Sequence, residues 1–533
     1  MHGYSSANRS LAWMPQVDHN PRAIVIGGGA TGCAVARDLA LRGFGVTLVE
    51  FGDLGSGTSS RFHGMLQSGA RYAVSDTDYA AECMRERLIV ADLAAGVVEQ
   101  TGGLFVSLPD DPPEFSDRFY EGCLSANIPV EELDPDLVMA REPAISRHVL
   151  RAFSVPDATV QSWRLVNLLA DDVRRRGGKI LTRHQVIGMK VRNGRMCGVR
   201  VTSAAGEVTL EADVVLNAAG PWSARVAAMV GRTVDLELGK GSIIVLSHRM
   251  VSQAVNRCRA PTSHDIIVPT GTVGLFGTTS EVVDDPDTTN VRAEEIQELL
   301  NNAEVLLPEV RNYRVYRAWA GVRPLFKPRD WPSEKPVPRR HSVINHGDDG
   351  LVGFFTVCGG SLTTHRSMAE DLGNQVCLSL GLDTKCISAI TPLTTSKNGH
   401  GWRPADNYRG IEEGRCYQSL VCECEAVAQS EVIDLIENHG IKHLHDLRRR
   451  LRIGFGPCQG TFCGSRVAAL IARYHPDFAS NDDLGRFWVE RLKGIVHTAW
   501  GQQARQALLS DTVYRETLGV RLKPELATSG DYR

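Results

Sequence analysis

Short apolar runs punctuated by glycine open the folded part of the chain. Residues 23–26 (AIVI) form a four-residue run suited to a strand buried on both faces. The glycine-rich stretch Gly27-Gly28-Gly29-Ala30-Thr31-Gly32 follows at once. A helical period then runs over 33–42, Gly43 stops it, and a second apolar run at 46–49 ends at Glu50. Further on, 186–191, 197–201 and 207–210 alternate apolar and polar positions around turns at Asn193-Gly194 and Ala205-Gly206, which predicts a three-stranded meander. Residues 214–220 and 352–357 read as two more buried strands, the second leading through Gly359-Gly360 into a helix. Between 240 and 350, short strands at 242–246, 266–268 and 274–277 are split by Pro and Gly turns and interrupted by an acidic helix over 293–307.

The order strand, glycines, helix, strand, acid has a physical logic. Gly27 permits a tight turn, Gly29 lets backbone approach a pyrophosphate, and Gly32 allows close helix–strand packing. The helix N-terminus offers unpaired N–H groups and the positive end of its dipole to phosphates. Glu50, eighteen residues past Gly32, is placed to accept from a ribose hydroxyl. A glycine-rich turn alone would be an ordinary α/β turn; the full order predicts a dinucleotide site, and the absence of an Arg-rich follow-up to Glu50 disfavours NADP. The meander, the small-residue strand end at 214–220 and the second glycine turn at 359–360 favour FAD over NAD.

Composition narrows the picture. The chain has 533 residues, 43% hydrophobic and 23% charged, which implies several domains and excludes bulk disorder, collagen and coiled coil. A formal charge of −3 without a long basic run argues against nucleic acid as the main partner. No window approaches 18 uninterrupted apolar residues, so no transmembrane segment is expected, and residues 1–20 lack the apolar core of a signal peptide. With 13 cysteines, an odd number, a secreted disulfide framework is disfavoured and a cytoplasmic location is expected. Nine cysteines are scattered singly, Cys416 among them. The other four pair as Cys422/Cys424 and Cys458/Cys463, a Cys-x-Cys and a Cys-x4-Cys separated by 33 residues. Four thiolates on two turns backed by short helices can close around iron or zinc.

Six motifs in order carry a family resemblance: GGGATG, SSRFHGMLQSGARY, VPDATV, NAAGPWS, AWAGVRPL and GGSLTTHR. Together they resemble FAD-dependent glycerol-3-phosphate dehydrogenases of the amino-acid-oxidase-like flavoprotein class, over about residues 22–500. The cysteine pairs resemble the [2Fe-2S] module of the bacterioferritin-associated ferredoxin type. That combination looks most like the A subunits of the anaerobic, quinone-linked enzymes. The resemblance implies an α/β fold: a Rossmann-type FAD-binding domain with an antiparallel substrate-binding sheet, plus a small helical [2Fe-2S] domain. The expected division is an oxidoreductase domain over 22–385, mainly FAD-binding at 22–239 and 350–385 and substrate-binding at 240–349. A linker (386–420), the [2Fe-2S] domain (421–480) and a helical tail (481–533) follow.

The same resemblance implies roles. FAD contacts fall on Gly27, Gly28, Gly29, Thr31, Gly32, Glu50, Ser59, Gly64, Val186, Ala219, Gly220, Gly359, Gly360 and Thr363. Cys422, Cys424, Cys458 and Cys463 would hold the cluster, with zinc the alternative from spacing alone. Arg323, Arg71 and Tyr72 fall at substrate positions, and Arg339 or Arg340 supplies a third cation; a guanidinium fork suits an anionic substrate such as glycerol 3-phosphate or a relative. His63 is the candidate base for the hydroxyl proton, a structural histidine being its plainer role. Relatives usually carry His at the position of Gln67, Lys at Ser361 and Tyr at His365. A related dehydrogenase for another polyol phosphate or a small hydroxy or amino acid, and a non-enzymatic electron-transfer or redox-sensing module, are the other readings. By resemblance, partner electron-transfer subunits lead to membrane quinone, placing the chain peripherally on the inner face of the cell membrane.

Overall fold

The computed structural model describes residues 20–262, 264–332, 337–393, 404–413, 419–478 and 480–521. Cys416, parts of the expected linker, the residues before position 20 and the end of the tail lie outside the described residues.

The first apolar run becomes the strand Arg22–Ile26, between Gly45–Val49 and Val214–Asn217 and parallel to both. The six-stranded sheet runs His341–Asn345, Phe354–Gly359, Val214–Asn217, Arg22–Ile26, Gly45–Val49, Lys179–Leu181, with His341–Asn345 antiparallel at its edge. Side-chain alternation explains why the central run is apolar throughout. Ala23 and Val25 pack on the helices Ala30–Leu41, Ser162–Arg175 and His365–Ser379, while Ile24 and Ile26 pack on the predicted meander, Gln185–Arg192, Arg195–Ser203 and Gly206–Glu211. The central strands end in register, Ile26 opposite Val49 and Asn217, so the glycine turn and Glu50 emerge together at their carboxyl ends.

The second large sheet has nine strands. Leu236–Leu246 is its spine, paired antiparallel with Val315–Phe326 along its whole length and also with Val273–Gly277 and Glu281–Val283. Beyond Ile266–Thr270 and Ala254–Arg257 the sheet continues into Gly103–Ser107, Arg151–Val155 and Glu131–Leu133. Strands from 103–155 thus belong to this second sheet and His341–Asn345 to the first, so the two sheets do not part at 239/240.

The helix Ala293–Leu306 covers the back of this sheet through Ile296, Leu299, Leu300 and Ala303. A buried ion pair pins it: Lys240 Nζ lies 2.9 Å from Glu295 Oε2, and the Ser242 hydroxyl donates to Glu295 Oε1 at 2.7 Å. Removing one partner of such a pair costs about 3–5 kcal/mol, because the other charge is left buried. Lys240→Met is expected to lower unfolding free energy by about 3 kcal/mol. Lys240→Met/Glu295→Leu should regain part of that loss in the same denaturant titration.

The C-terminal unit begins with a small hairpin, Leu420–Cys422 and Val427–Ala428, followed by helices Gln429–Glu437, Leu444–Leu451 and Cys463–Tyr474. The amphipathic tail forms Ser480–Ile495 and Gly501–Thr512, and it completes this unit's core: Phe487, Trp488 and Tyr514 are buried with Val432, Leu447 and Val467. The Tyr514 hydroxyl donates to the Gly460 carbonyl in the cysteine loop at 2.8 Å. The tail is thus part of the cysteine module as well as packed on the strand Val315–Phe326, where the Gln503 amide donates to Tyr316 O at 2.8 Å. Within the segment expected as linker, Pro404–Glu412 is helical. Among the described residues, no helix is long and apolar enough to cross a membrane.

Candidate active site

A cavity of about 1850 Å³ opens where the two large sheets and the cysteine module meet. Its lining includes Gly27, Gly29, Thr31, Glu50, Ser59, Gly64, Val186, Ala219, Gly220, Gly359, Gly360 and Thr363. It also includes His63, Arg71, Tyr72, Arg323 and Arg339, so residues far apart in sequence converge on one space. That volume exceeds the roughly 300–1,000 Å³ of a drug-sized pocket, and it has room for a long dinucleotide and a small second molecule.

Gly28 and Gly32 do not line the cavity. A Cβ on Gly32 would fall on the Gly27 carbonyl oxygen, and one on Gly28 would meet Leu54 and Glu50, so both serve close packing behind the turn. Gly27 takes φ 107°, a left-handed value, and a Cβ there would stand 2.5 Å from the Ala218 carbonyl oxygen. Gly29 brings no capping side chain of its own to the helix Ala30–Leu41, and the Ser59 hydroxyl accepts from Ala30 N at 2.9 Å. The half-buried Glu50 carboxylate accepts from Gly28 N at 2.6 Å and Gly52 N at 2.7 Å, which fixes it at the cavity wall. Burial pushes its carboxyl up while these two N–H groups pull it back down. This cradle fits the diphosphate and ribose of FAD: a helix start whose dipole favours the anion, an acceptor for the hydroxyls, and no Cβ in the way. At the second strand–helix junction Gly359 has φ 78°, and a Cβ there would strike the Arg340 carbonyl.

The far end of the cavity is cationic. Arg323 lies opposite Gly239 on the strand Val315–Phe326, and Gly241 leaves the space its guanidinium occupies. Its guanidinium donates to the Thr278 hydroxyl and, at 3.2 Å, to the Thr279 carbonyl. Among the described residues it has no carboxylate partner. Burial, with Arg339 and Arg71 nearby, pulls its pKa down to about 10. Arg71 is held by Thr262 O at 2.6 Å and lies 3.5 Å from Asp265. Arg340 turns away to Asp76, at 2.9 Å, and Asp78, whereas Arg339 lines the cavity. A half-buried cation satisfied only by neutral oxygens, beside two further arginines, is a site for an anion.

His63 sits against these arginines. Burial, then Arg71, Arg323 and Arg339, depress its pKa to about 3. Met65 N–H donates to its Nδ1 at 3.2 Å, so the neutral ring carries its proton on Nε2. In this geometry the ring presents a donor and its basicity is low, which favours the plainer, hydrogen-bonding role of His63 over that of proton acceptor. Gln67 and Ser361 line the cavity, whereas His365 does not; its Nδ1 bonds the Leu362 carbonyl at 2.7 Å.

In the module, the four paired cysteines come together. Cys424 Sγ lies 3.8 Å from Cys458 Sγ, and Cys463 bonds both Cys422 and Cys458. Backbone N–H groups of Glu425 and Gly454 point at Cys422, and those of Gly460 and Phe462 at Cys458. Hydrogen bonds from Cys424 and Cys463 lower the Cys458 thiol, while those shared thiols push Cys424 and Cys463 up. Among the described residues no three ligand groups surround one metal-sized point. The four thiols form one chain of contacts, Cys422 to Cys463 to Cys458 to Cys424, which suits shared thiolate ligation of a cluster, and the N–H groups suit sulfur acceptors. A Cβ on Gly456 would collide with Cys424, so the loop needs glycine there.

Sequence reasoning missed the wall between cavity and cluster. Phe455, three residues before Cys458, lies 5.5 Å from the Trp163 ring and under the guanidiniums of Arg317, Arg448, Arg452 and Arg491 at 4.7–6.0 Å. Arg317, Phe455 and Trp163 also line the cavity. The signal for this in the sequence is the basic run at 448–452, which reads as an ordinary helix end.

Comparison with known proteins agrees with this layout. The pattern of the family described as FAD dependent oxidoreductase matches residues 22–372, and that of the BFD-like [2Fe-2S] binding domain matches 420–473. The chain is 40% identical to the A subunit of the anaerobic glycerol-3-phosphate dehydrogenase of Escherichia coli (strain K12), over 93% of this chain and 96% of that one. It is 28% identical to the D-erythritol 1-phosphate dehydrogenase of Brucella abortus (strain 2308), over 65% of this chain and 71% of that one. Its fold matches that of a glycerol-3-phosphate dehydrogenase from Bacillus halodurans solved with FAD, with a TM-score of 0.59 at 20% identity and 97% of both chains covered.

Proposed function

The chain belongs to the FAD dependent oxidoreductase family and carries a BFD-like [2Fe-2S] binding domain, and from that premise we propose that it oxidises sn-glycerol 3-phosphate to dihydroxyacetone phosphate. Electrons leave through its [2Fe-2S] cluster to partner subunits and membrane quinone. The observation that carries the substrate is Arg323, a half-buried cation with only neutral partners among the described residues, lining the cavity together with Arg71 and Arg339. FAD held by the glycine turn and Glu50 supplies the two-electron acceptor for alcohol oxidation. The chain's own residues do the rest. Arg323, Arg71 and Arg339 bind and orient the phosphate, fixing the secondary hydroxyl relative to the flavin wall. Tyr72, on the turn Ala70–Tyr72, closes that end of the cavity. His63 offers Nε2–H to the substrate oxygen, and the hydroxyl proton released in the oxidation passes to water in the open cavity. The kinship with one component of a multi-subunit anaerobic dehydrogenase supports the partner subunits and the peripheral position on the inner face of the membrane.

A second reading, another polyol phosphate, is favoured by Gln67 and Ser361, which line the cavity where relatives usually have His and Lys, and by the erythritol phosphate dehydrogenase likeness. Steady-state assays with an artificial acceptor across glycerol 3-phosphate, erythritol phosphate and unphosphorylated glycerol separate the readings. The highest kcat/KM should fall on glycerol 3-phosphate; a strong preference for the longer polyol phosphate would transfer the assignment to the second reading.

The donor role of His63 has its own test. His63→Gln keeps an N–H donor at the place of Nε2 and is expected to retain most of the turnover that His63→Ala loses. A general base would be lost equally in both variants. Because His63 is neutral down to about pH 3, it contributes no limb to the rate profile over about pH 5–8. Its linkage to stability follows the same sign. The unfolded chain binds the proton first, so this contribution is complete above the ordinary histidine pKa near 6.5 and is lost as pH falls toward 3.

A further inference from the structure

We propose that docking of the cysteine module closes the adenosine end of the FAD pocket, through an ion-pair clamp centred on Asp53, so that FAD retention and module docking reinforce one another. The inference rests on the FAD and cluster sites described above and is independent of the substrate.

Asp53 stands three residues past Glu50, the acid at the ribose position, and is 4% exposed. Arg450 grips it with both terminal nitrogens, at 2.6 and 2.9 Å, and Arg449 adds a third contact at 3.1 Å. Both arginines come from the module helix Leu444–Leu451. Arg449 also donates to Asp446 at 2.6 Å, and Asp446 accepts from Arg183 of the flavin domain, again at 2.6 Å. Arg183 returns to the start: its N–H donates to the Gly52 carbonyl at 2.8 Å, and the next N–H, of His184, donates to the Glu50 carbonyl at 2.9 Å. The contacts form a closed ring that crosses the boundary between domains twice and contains the segment carrying Glu50. Burial alone would raise the Asp53 carboxyl, but Arg450 and Arg449 hold it well below the usual carboxylate range, so the clamp is charged at working pH.

The segment is also tied to the glycine turn. Gly55 N–H donates to Gly28 O at 2.9 Å, and Ala30 N–H to the Ser59 hydroxyl at 2.9 Å. Asp53 therefore sits on a stretch whose two ends both touch the dinucleotide cradle. The module supplies cavity wall as well as clamp: His445, Arg448 and Arg449 line the same space as Glu50, Phe51 and His184. A ligand that orders this wall favours the docked module, and by reciprocity the docked module holds the ligand by the same factor. These are positioning residues, acting on FAD through the Glu50 segment.

The test uses full-length protein carrying its cluster. Asp53→Asn keeps the shape and removes the charge. FAD affinity, read by flavin fluorescence on dilution, should weaken at least tenfold, while iron content and the cluster spectrum stay at the wild-type level. In the wild type, FAD should slow backbone hydrogen exchange in the helix Leu444–Leu451, and in Asp53→Asn that protection should vanish. Arg183→Ala, at a side chain 36% exposed and so tolerant of replacement, should weaken FAD several-fold and carries the test should Asp53→Asn misfold. Glu132→Gln breaks an ion pair remote from the cavity and should change neither reading. Unchanged FAD affinity in both clamp variants, or equal exchange in the helix with and without FAD, would overturn the proposal. A wild-type chain that takes up no FAD would instead overturn the flavin assignment of the pocket.

Discussion

Arg323→Ala is expected to keep its FAD and its cluster, yet lose kcat/KM for glycerol 3-phosphate by on the order of a hundredfold. The magnitude follows from the bond lost. A buried, charge-assisted, two-pronged contact between guanidinium and phosphate is worth about 3 kcal/mol, and each 1.4 kcal/mol is about tenfold. Its partners before substrate arrives are neutral oxygens, Thr278 and Thr279. Removing the guanidinium therefore strands no carboxylate, and the fold should tolerate the change. Arg323→Lys should recover only part of the loss, because an ammonium is a single point of charge and cannot present the fork. Unphosphorylated glycerol, which has no phosphate for Arg323 to hold, should be affected little. The check is a pair of steady-state series, wild type and variant, on both substrates. Equal losses on phosphorylated and unphosphorylated substrates would show that Arg323 supports the fold of the site and does not hold the phosphate.

Cys458→Ser is expected to separate the two half-reactions. The side chain is partly exposed in its loop, whereas Cys463 is buried at the start of its helix, so Cys458 is the milder place to cut. Loss of one thiolate should empty the cluster of iron and abolish the reduced-cluster paramagnetic signal. Bleaching of FAD by substrate should persist in a single anaerobic turnover. Transfer onward to the partner subunits should fall to background, since the electrons have no outlet. The module itself should lose stability, because the metal's binding energy is part of its folding energy. Retained transfer with no iron present would remove the cluster from the route.

What the sequence disclosed, and what it did not, follows from distance along the chain. The dinucleotide unit was legible because its parts are consecutive: Ala23, Val25, Val46 and Leu48 sit in a local pattern of buried runs around a glycine turn. The meander was legible for the same reason. The far strands of the substrate-side sheet were not. Gly103–Ser107 pairs parallel with Ala254–Arg257, about 150 residues away, and nothing in its composition names that partner. The tail shows the other limit. It is expected as a helical tail, but the surface that Phe487 and Trp488 meet, with Tyr514 stacked 5.0 Å from Trp488, lies inside the cysteine module. Among site residues, Arg323 and Arg71 were found because they stand in motifs. Asp53 and its two arginines were not, being 396 and 397 residues apart, since a basic helix end and a loop aspartate are each commonplace alone. The protonation of His63 needed coordinates too, because burial, three guanidiniums and the Met65 N–H set it together.

The central claim is that one chain takes electrons from a phosphorylated alcohol at its flavin and passes them to its own iron–sulfur cluster. An anaerobic titration of the FAD-loaded, cluster-loaded chain with sn-glycerol 3-phosphate tests it most directly, with flavin absorbance and cluster paramagnetic resonance followed on the same sample. The expected result is bleaching of the flavin together with growth of the reduced-cluster signal. Flavin that stays oxidised in glycerol 3-phosphate but is bleached by dithionite would contradict the account.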